Sequence, residues 1–240
     1  MQSIQLTCPQ NVVNFCEKRL DVTAFEQEFS QPQPLTLEQI SQQLASGDYI
    51  PVLKALWSEQ DKQRRFEWLR QQEKDLHAPL LFEQAIAEFE VLPTIETIIK
   101  TCIPLISIAN FRVKQDMQCS KDPSVCKGDA AIRMQNTYNQ ALAKKAGKNL
   151  YKRVCSTIEK NHPQETIDLY QKVTEAAEES KSKNLPNPTW IGFHGMSMFF
   201  SNISTPPMHP SEEFKQIREA YADEFIKVNQ EGIEMMRQEF

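Results

Sequence analysis

The stretch from Glu88 to Phe111, EFEVLPTIETIIKTCIPLISIANF, is the most apolar run in an otherwise polar chain. Ile95, Ile98, Ile99 and Cys102 recur at helical spacing, Pro93 and Pro104 punctuate the run, and Glu88 and Glu90 stand at its entrance. This pattern predicts a helix from Leu92 to Cys102, preceded by one over Leu80 to Phe89. Pro104 then marks a kink or boundary before a further helix from Leu105 to Val113. Such a run is either a central core helix, its acidic start favoured by the helix dipole, or the spine of a recognition surface. Glu96, Lys100 and the two prolines break up Val91 to Ala109, so it fails as a membrane span.

The same periodicity extends in both directions. Upstream, Asn11 to Phe29 is expected as a first helix, ended by the QPQP stretch, and Thr36 with Gln39 forms a capping-box pattern opening a second. A third helix through Val52, Leu53, Leu56 and Trp57 completes an expected N-terminal bundle over residues 1–57. Ser58 to Leu76 is strongly helical, with Phe66, Leu69 and Leu76 on one face, and opens a central helical domain over residues 58–180. Downstream, a polar loop from Gln118 to Gly128 precedes helices over Asp129 to Lys145, Lys148 to Lys160 and Gln164 to Glu179. Residues 181–210 are rich in proline and are expected as loop or linker. Glu212 to Phe240 is a long final helix with Phe214, Ile217, Tyr221, Phe225 and Val228 on one side.

Composition agrees with an all-α, multi-helix bundle. Only six glycines occur in 240 residues, and glycine is what hairpins and phosphate-cradling loops need. The net charge of -5 lacks the basic excess of a nucleic-acid binder, so nucleic acid is not expected as a partner. No basic region followed by an apolar core opens MQSIQLTCPQNVVNF, so no secretory leader is expected and the chain should be soluble and cytosolic. The six cysteines are expected as thiols, although Cys119 and Cys126 flank a polar loop and could pair in an oxidising compartment. No C-x-x-C spacing, phosphate loop or G-x-S-x-G signature is present, and no cofactor or metal is expected.

The segment AEFEVLPTIETIIKTCIPLISIANF resembles the central signature of the vacuolar protein sorting nine (VPS-nine) domain, through Leu92, Pro93, Ile95, Ile98, Ile99, Lys100, Pro104, Leu105 and Asn110. DKQRRFEWL before it, and DPSVCKGDAAIRMQNTYNQAL after it, are similar in outline to the flanking parts of that domain, so the resemblance spans about residues 59 to 145. It implies a helical guanine-nucleotide exchange factor for a Rab-type small GTPase, acting in vesicle traffic. In that family a carboxylate reaches the nucleotide pocket and a tyrosine supports it. Such a carboxylate competes with phosphate for the P-loop lysine and disfavours Mg²⁺ retention. The family's aspartate falls on Phe89, flanked by Glu88 and Glu90, and its tyrosine falls on Ile132 to Met134, with Tyr138 the nearest tyrosine. The resemblance therefore assigns Glu88, Glu90 and Tyr138 to the acidic element and its support, and Leu92, Pro93, Ile95 and Ile99 to the GTPase contact.

Two further readings stand beside it. A non-catalytic helical adaptor would use the same run purely as core. TWIGFHGMSMFF, residues Thr189 to Phe200, resembles the first NAD-contacting strand of ADP-ribosyltransferases, with His194 as the ribose-holding histidine, but the helical sequence after it leaves no room for that family's sheet. The glutamate-rich final helix also resembles translocation signals of bacterial type IV effectors, which would place the chain in a host cytosol.

Overall fold

The computed structural model describes residues 55–57, 59–72, 76–122, 130–147, 163–188, 190–191 and 207–239, with Gln39, Val52, Val125 and Val154 as single positions. The described residues form seven α-helices and no strand, which is the all-α class expected from the sequence. The expected N-terminal bundle, the helix over Lys148 to Lys160 and the motif at His194 lie largely or wholly outside the described residues.

Helix α1, Lys62–Gln71, starts at Asp61, whose carboxylate accepts from the backbone N–H groups of Gln63 and Arg64 at 3.0 and 3.2 Å. Such a cap contributes about 1 kcal/mol. The helix buries Phe66, Trp68 and Leu69 against α2, Leu80–Val91. Every residue of α2 from Leu80 to Phe89 is buried, so this helix is enclosed on all sides instead of lying on one apolar stripe. Its neighbours are α1, the π turn described next, α4 (Ile103–Met117) and α5 (Ala130–Ala146).

Between α2 and α4 the chain makes a corner at Leu92–Thr94, one short helix α3 (Ile95–Thr97) and a π turn (Ile98–Cys102). Thr94 caps α3 by accepting from the Thr97 N–H at 3.0 Å. Pro104 explains the π turn. An α-helix would satisfy the Lys100 carbonyl with the N–H of residue 104, which proline lacks. The backbone widens so that the Ile103 N–H reaches the Ile98 carbonyl, and Lys172, on another helix, donates its Nζ to the Lys100 carbonyl at 3.3 Å. The expected kink is thus absorbed inside a nearly continuous rod from Ile95 to Met117.

Helix α4 is the central post, touching α2, α5, α6 (Pro163–Ser182) and α7 (Phe214–Glu239). Its Ile106, Ala109, Val113 and Met117 join the larger core with α1, α2 and α5, while Phe111 joins a second core with Val173, Ala177, Ala222 and Ile226. Helices α6 and α7 run antiparallel, with Lys181 opposite Asp223 and Thr174 opposite Asn229. Helix α5 ends at Gly147, whose φ of 85° is the left-handed conformation that glycine adopts without strain.

The segment read as linker begins as the last turn of α6, and Leu185, Trp190 and Ile191 within it are buried. A polar network holds it. Trp190 donates Nε1 to Asp116 Oδ2 at 2.8 Å, and Asp116 pairs with Arg218 at 2.7 Å. Arg218 also donates to the carbonyls of Leu185 and Pro186. Gln115 bonds Ser180 and the Arg218 carbonyl, so α4, α6, α7 and the segment after α6 are fastened at one place. Burial pushes the nearby Arg112 down to about 10 and His77 down to about 4, the Asp116 charge opposing both shifts.

Candidate functional site

Helix α2 delivers its acidic residues to the interior. Glu83 accepts from Tyr138 Oη at 2.6 Å and from Trp57 Nε1 at 3.0 Å, and the Tyr138 ring stacks on Phe82 with centroids 4.8 Å apart. Glu90 is held between Arg65 of α1 and Lys145 of α5. Glu83 and Glu90 are two turns apart on α2, as Tyr138 and Lys145 are on α5, so the two contacts form parallel rungs joining two helices that run in the same direction. Glu88 is buried, with Arg70 3.9 Å away.

Of the residues assigned to the acidic element, Glu90 is therefore engaged in ion pairs and Tyr138 supports Glu83. The sequence reading did not single out Glu83, Arg65 or Lys145. The signal for them was present as matching two-turn spacings, but any helical chain rich in charge contains many such spacings, and only the packed helices select one.

The corner beyond α2 has the opposite character. Leu92 is 54% exposed and Ile95 49%, Pro93 is exposed, and Ile99 is half-buried, while Ile98 and Cys102 on the other side of the same turn are fully buried. Ile95 and Ile99 are one turn apart and form a short apolar stripe that Leu92 extends. Glu96 stands beside them with its side chain 71% exposed, bonded to Lys100 Nζ at 2.7 Å. That hydrogen bond and the lysine charge hold the Glu96 carboxyl below the ordinary carboxylate range. Leu92, Pro93, Ile95 and Ile99, the residues assigned to partner contact, thus lie together on one ridge, with an accessible carboxylate and ammonium at its edge.

Cys102, beneath the ridge, donates to the Ala85 carbonyl at 3.3 Å, and burial pushes its thiol up to about 12, which leaves no thiolate for nucleophilic attack near neutral pH. Cys119 is buried as well. Among the described residues, no group of three or more His, Cys, Asp or Glu side chains is placed to hold a metal ion, and no helix is long and apolar enough to cross a membrane. No protein-family model, curated protein or solved structure matches this chain.

Proposed function

We propose that this protein is a helical interaction module that docks a Rab-type small GTPase through the Leu92–Ile99 ridge. The observation that carries the reading is the exposure of Leu92 and Ile95 on a corner whose backbone is fixed by the Thr94 cap. Apolar side chains held in place by a rigid element lose little entropy on binding and form the kind of small anchor on which interfaces depend. The resemblance of the surrounding signature to VPS-nine domains supplies the class of partner.

Exchange activity is the more demanding form of this reading. It needs a carboxylate that can leave the surface of the module and enter the nucleotide pocket. Glu90 is committed to Arg65 and Lys145, and withdrawing it would leave those cations uncompensated. Glu96 is exposed and on the ridge, so it is the acid suited to that role. A purely adaptor function is favoured by the interior placement of Glu83, Glu88 and Glu90.

A panel of Rab-type GTPases loaded with fluorescent GDP separates these forms. Binding without faster release identifies an adaptor, and faster release that falls by tenfold or more (about 1.4 kcal/mol) in Glu96→Ala identifies an exchange factor. Absence of both binding and release across the panel would remove the GTPase as partner.

A further inference from the structure

Helix α7 is 26 residues long and carries an apolar stripe that is covered along one half and bare along the other. Tyr221, Phe225, Val228, Gly232 and Met235 follow one another in steps of four and three, the seam spacing of helices that pack side by side. The first two are covered by α4, with ring centroids of Phe111 5.9 Å from Tyr221 and 4.6 Å from Phe225. Beyond Phe225 the cover ends. Val228 is 60% and Met235 62% exposed, more than Leu92 or Ile95 of the ridge, and a Cβ at Gly232 would meet nothing within 4 Å. Asn229, on the adjoining face, is buried and bonds Thr174 of α6 at 3.4 Å, so this half of α7 is anchored while its stripe stays open.

The charge around the stripe is one-sided. Glu224 and Glu231 each lie one turn from Val228, and Glu231 also lies one turn from Met235. Residues 223–238 of α7 hold four acids against two bases, and residues 163–175 of α6 hold three against one. This charge discriminates between occupants. An antiparallel pair of copies with Val228 opposite Met235 would set the two Glu231 carboxylates beside each other. Residues 1–50 hold six acids against two bases, so the N-terminal part of the same chain does not complement the surface. Anionic lipid and nucleic acid are repelled in the same way.

We propose that the Val228–Met235 stripe docks a basic amphipathic helix of a partner protein. Apolar side chains of that helix pack around Val228 and Met235, and the gap at Gly232 admits one of them close to the α7 backbone. Lys or Arg residues beside its seam pair with Glu224 and Glu231. Because α6 already holds this part of α7 in place, little ordering opposes the contact.

Fluorescence anisotropy with the full chain and a labelled three-heptad peptide, Leu at each a and d position and Lys at each e and g position, tests the surface; the same peptide with Glu for Lys is the comparison. The Lys peptide is expected to bind with a Kd below about 100 µM, and the Glu peptide at least about tenfold more weakly. Val228→Gln/Met235→Gln changes two side chains that are more than half exposed, so helix content should be unchanged by circular dichroism while the Lys peptide binds at least about tenfold more weakly. Glu224→Gln/Glu231→Gln should narrow the preference between the peptides at least about threefold. Leu92→Gln/Ile95→Gln should leave peptide affinity unchanged, which separates this surface from the ridge. Absence of Lys-peptide binding up to about 1 mM, or equal binding of the two peptides, would overturn the proposal. So would binding that Val228→Gln/Met235→Gln leaves intact, a preference that Glu224→Gln/Glu231→Gln leaves intact, or binding lost through Leu92→Gln/Ile95→Gln. A dimer in sedimentation that Val228→Gln/Met235→Gln dissolves would also overturn it, since a second copy would then occupy the stripe.

Discussion

Helix α2 and the corner that follows it are adjacent in sequence and belong to the same apolar stretch, yet they put their residues to opposite uses. On α2, Glu83 and Glu90 are engaged by Tyr138, Trp57, Arg65 and Lys145, and the apolar residues are wholly enclosed. At the corner, Leu92 and Ile95 are exposed and Glu96 faces solvent. The boundary is Leu92–Thr94, where Pro93 interrupts the helix and Thr94 restarts it in a new direction. Carboxylates close in sequence therefore differ in what they can do: those on α2 hold helices together, and the one past the corner is available to a partner.

Substitution of the acids should expose this difference most strongly. Glu90→Ala leaves Arg65 and Lys145 without their shared counter-charge. Because Lys145 is 41% exposed and screened by water, the expected loss of stability is about 2–3 kcal/mol, below the full cost of breaking a buried pair. Glu96→Ala, at an exposed side chain, should leave the denaturation midpoint essentially unchanged. Urea denaturation of the two variants measures both, and equal losses would erase the distinction between the two regions.

Acidification is expected to weaken the enclosed side next. His77, just before α2, is held down to about 4 by burial, against 6.5 in its unperturbed state. Between those values the unfolded chain binds a proton that the folded chain refuses, so stability is complete above about pH 6.5 and falls as pH drops towards 4. The slope approaches about 1.4 kcal/mol per pH unit, and a His77→Phe variant that remains folded should lose it.

A smaller effect is expected from Tyr138→Phe. The ring keeps its stack on Phe82 but the bond to Glu83 is lost, at a cost of about 1–2 kcal/mol, since Trp57 still bonds that carboxylate. If Tyr138 acted in exchange chemistry and not as a rung, the substitution would lower activity while leaving the denaturation midpoint unchanged.

Much of this organisation was legible in the sequence because its signals are local. Helical periodicity is such a signal, whereas the exact ends were harder to read: the helices expected from Ser58 and from Leu92 start at Lys62 and Ile95, where Asp61 and Thr94 cap them. Pro104 was legible as a disturbance, but its outcome was not, because the Lys100 carbonyl is answered by Lys172 from a helix far along the chain. The burial of Trp190 on Asp116 was hidden for the same reason: a proline-rich segment reads as surface linker until α4 and α7 present it with a carboxylate and a guanidinium. Leu92, Pro93, Ile95 and Ile99 lie near one another because they are nearly contiguous in sequence. The partners of Glu90 and Tyr138 depend on the registry of α2 with α1 and α5, which no single helix encodes.

The docking ridge is tested most directly by measuring the affinity of Rab-type GTPases for the wild-type chain and for the double variant Leu92→Asp/Ile95→Asp, with folding of both verified by circular dichroism. The two side chains are about half exposed, so the fold is expected to survive and affinity for the cognate GTPase to fall at least about a hundredfold, roughly 2.7 kcal/mol. A panel member that binds both forms equally well would contradict the ridge as the docking surface.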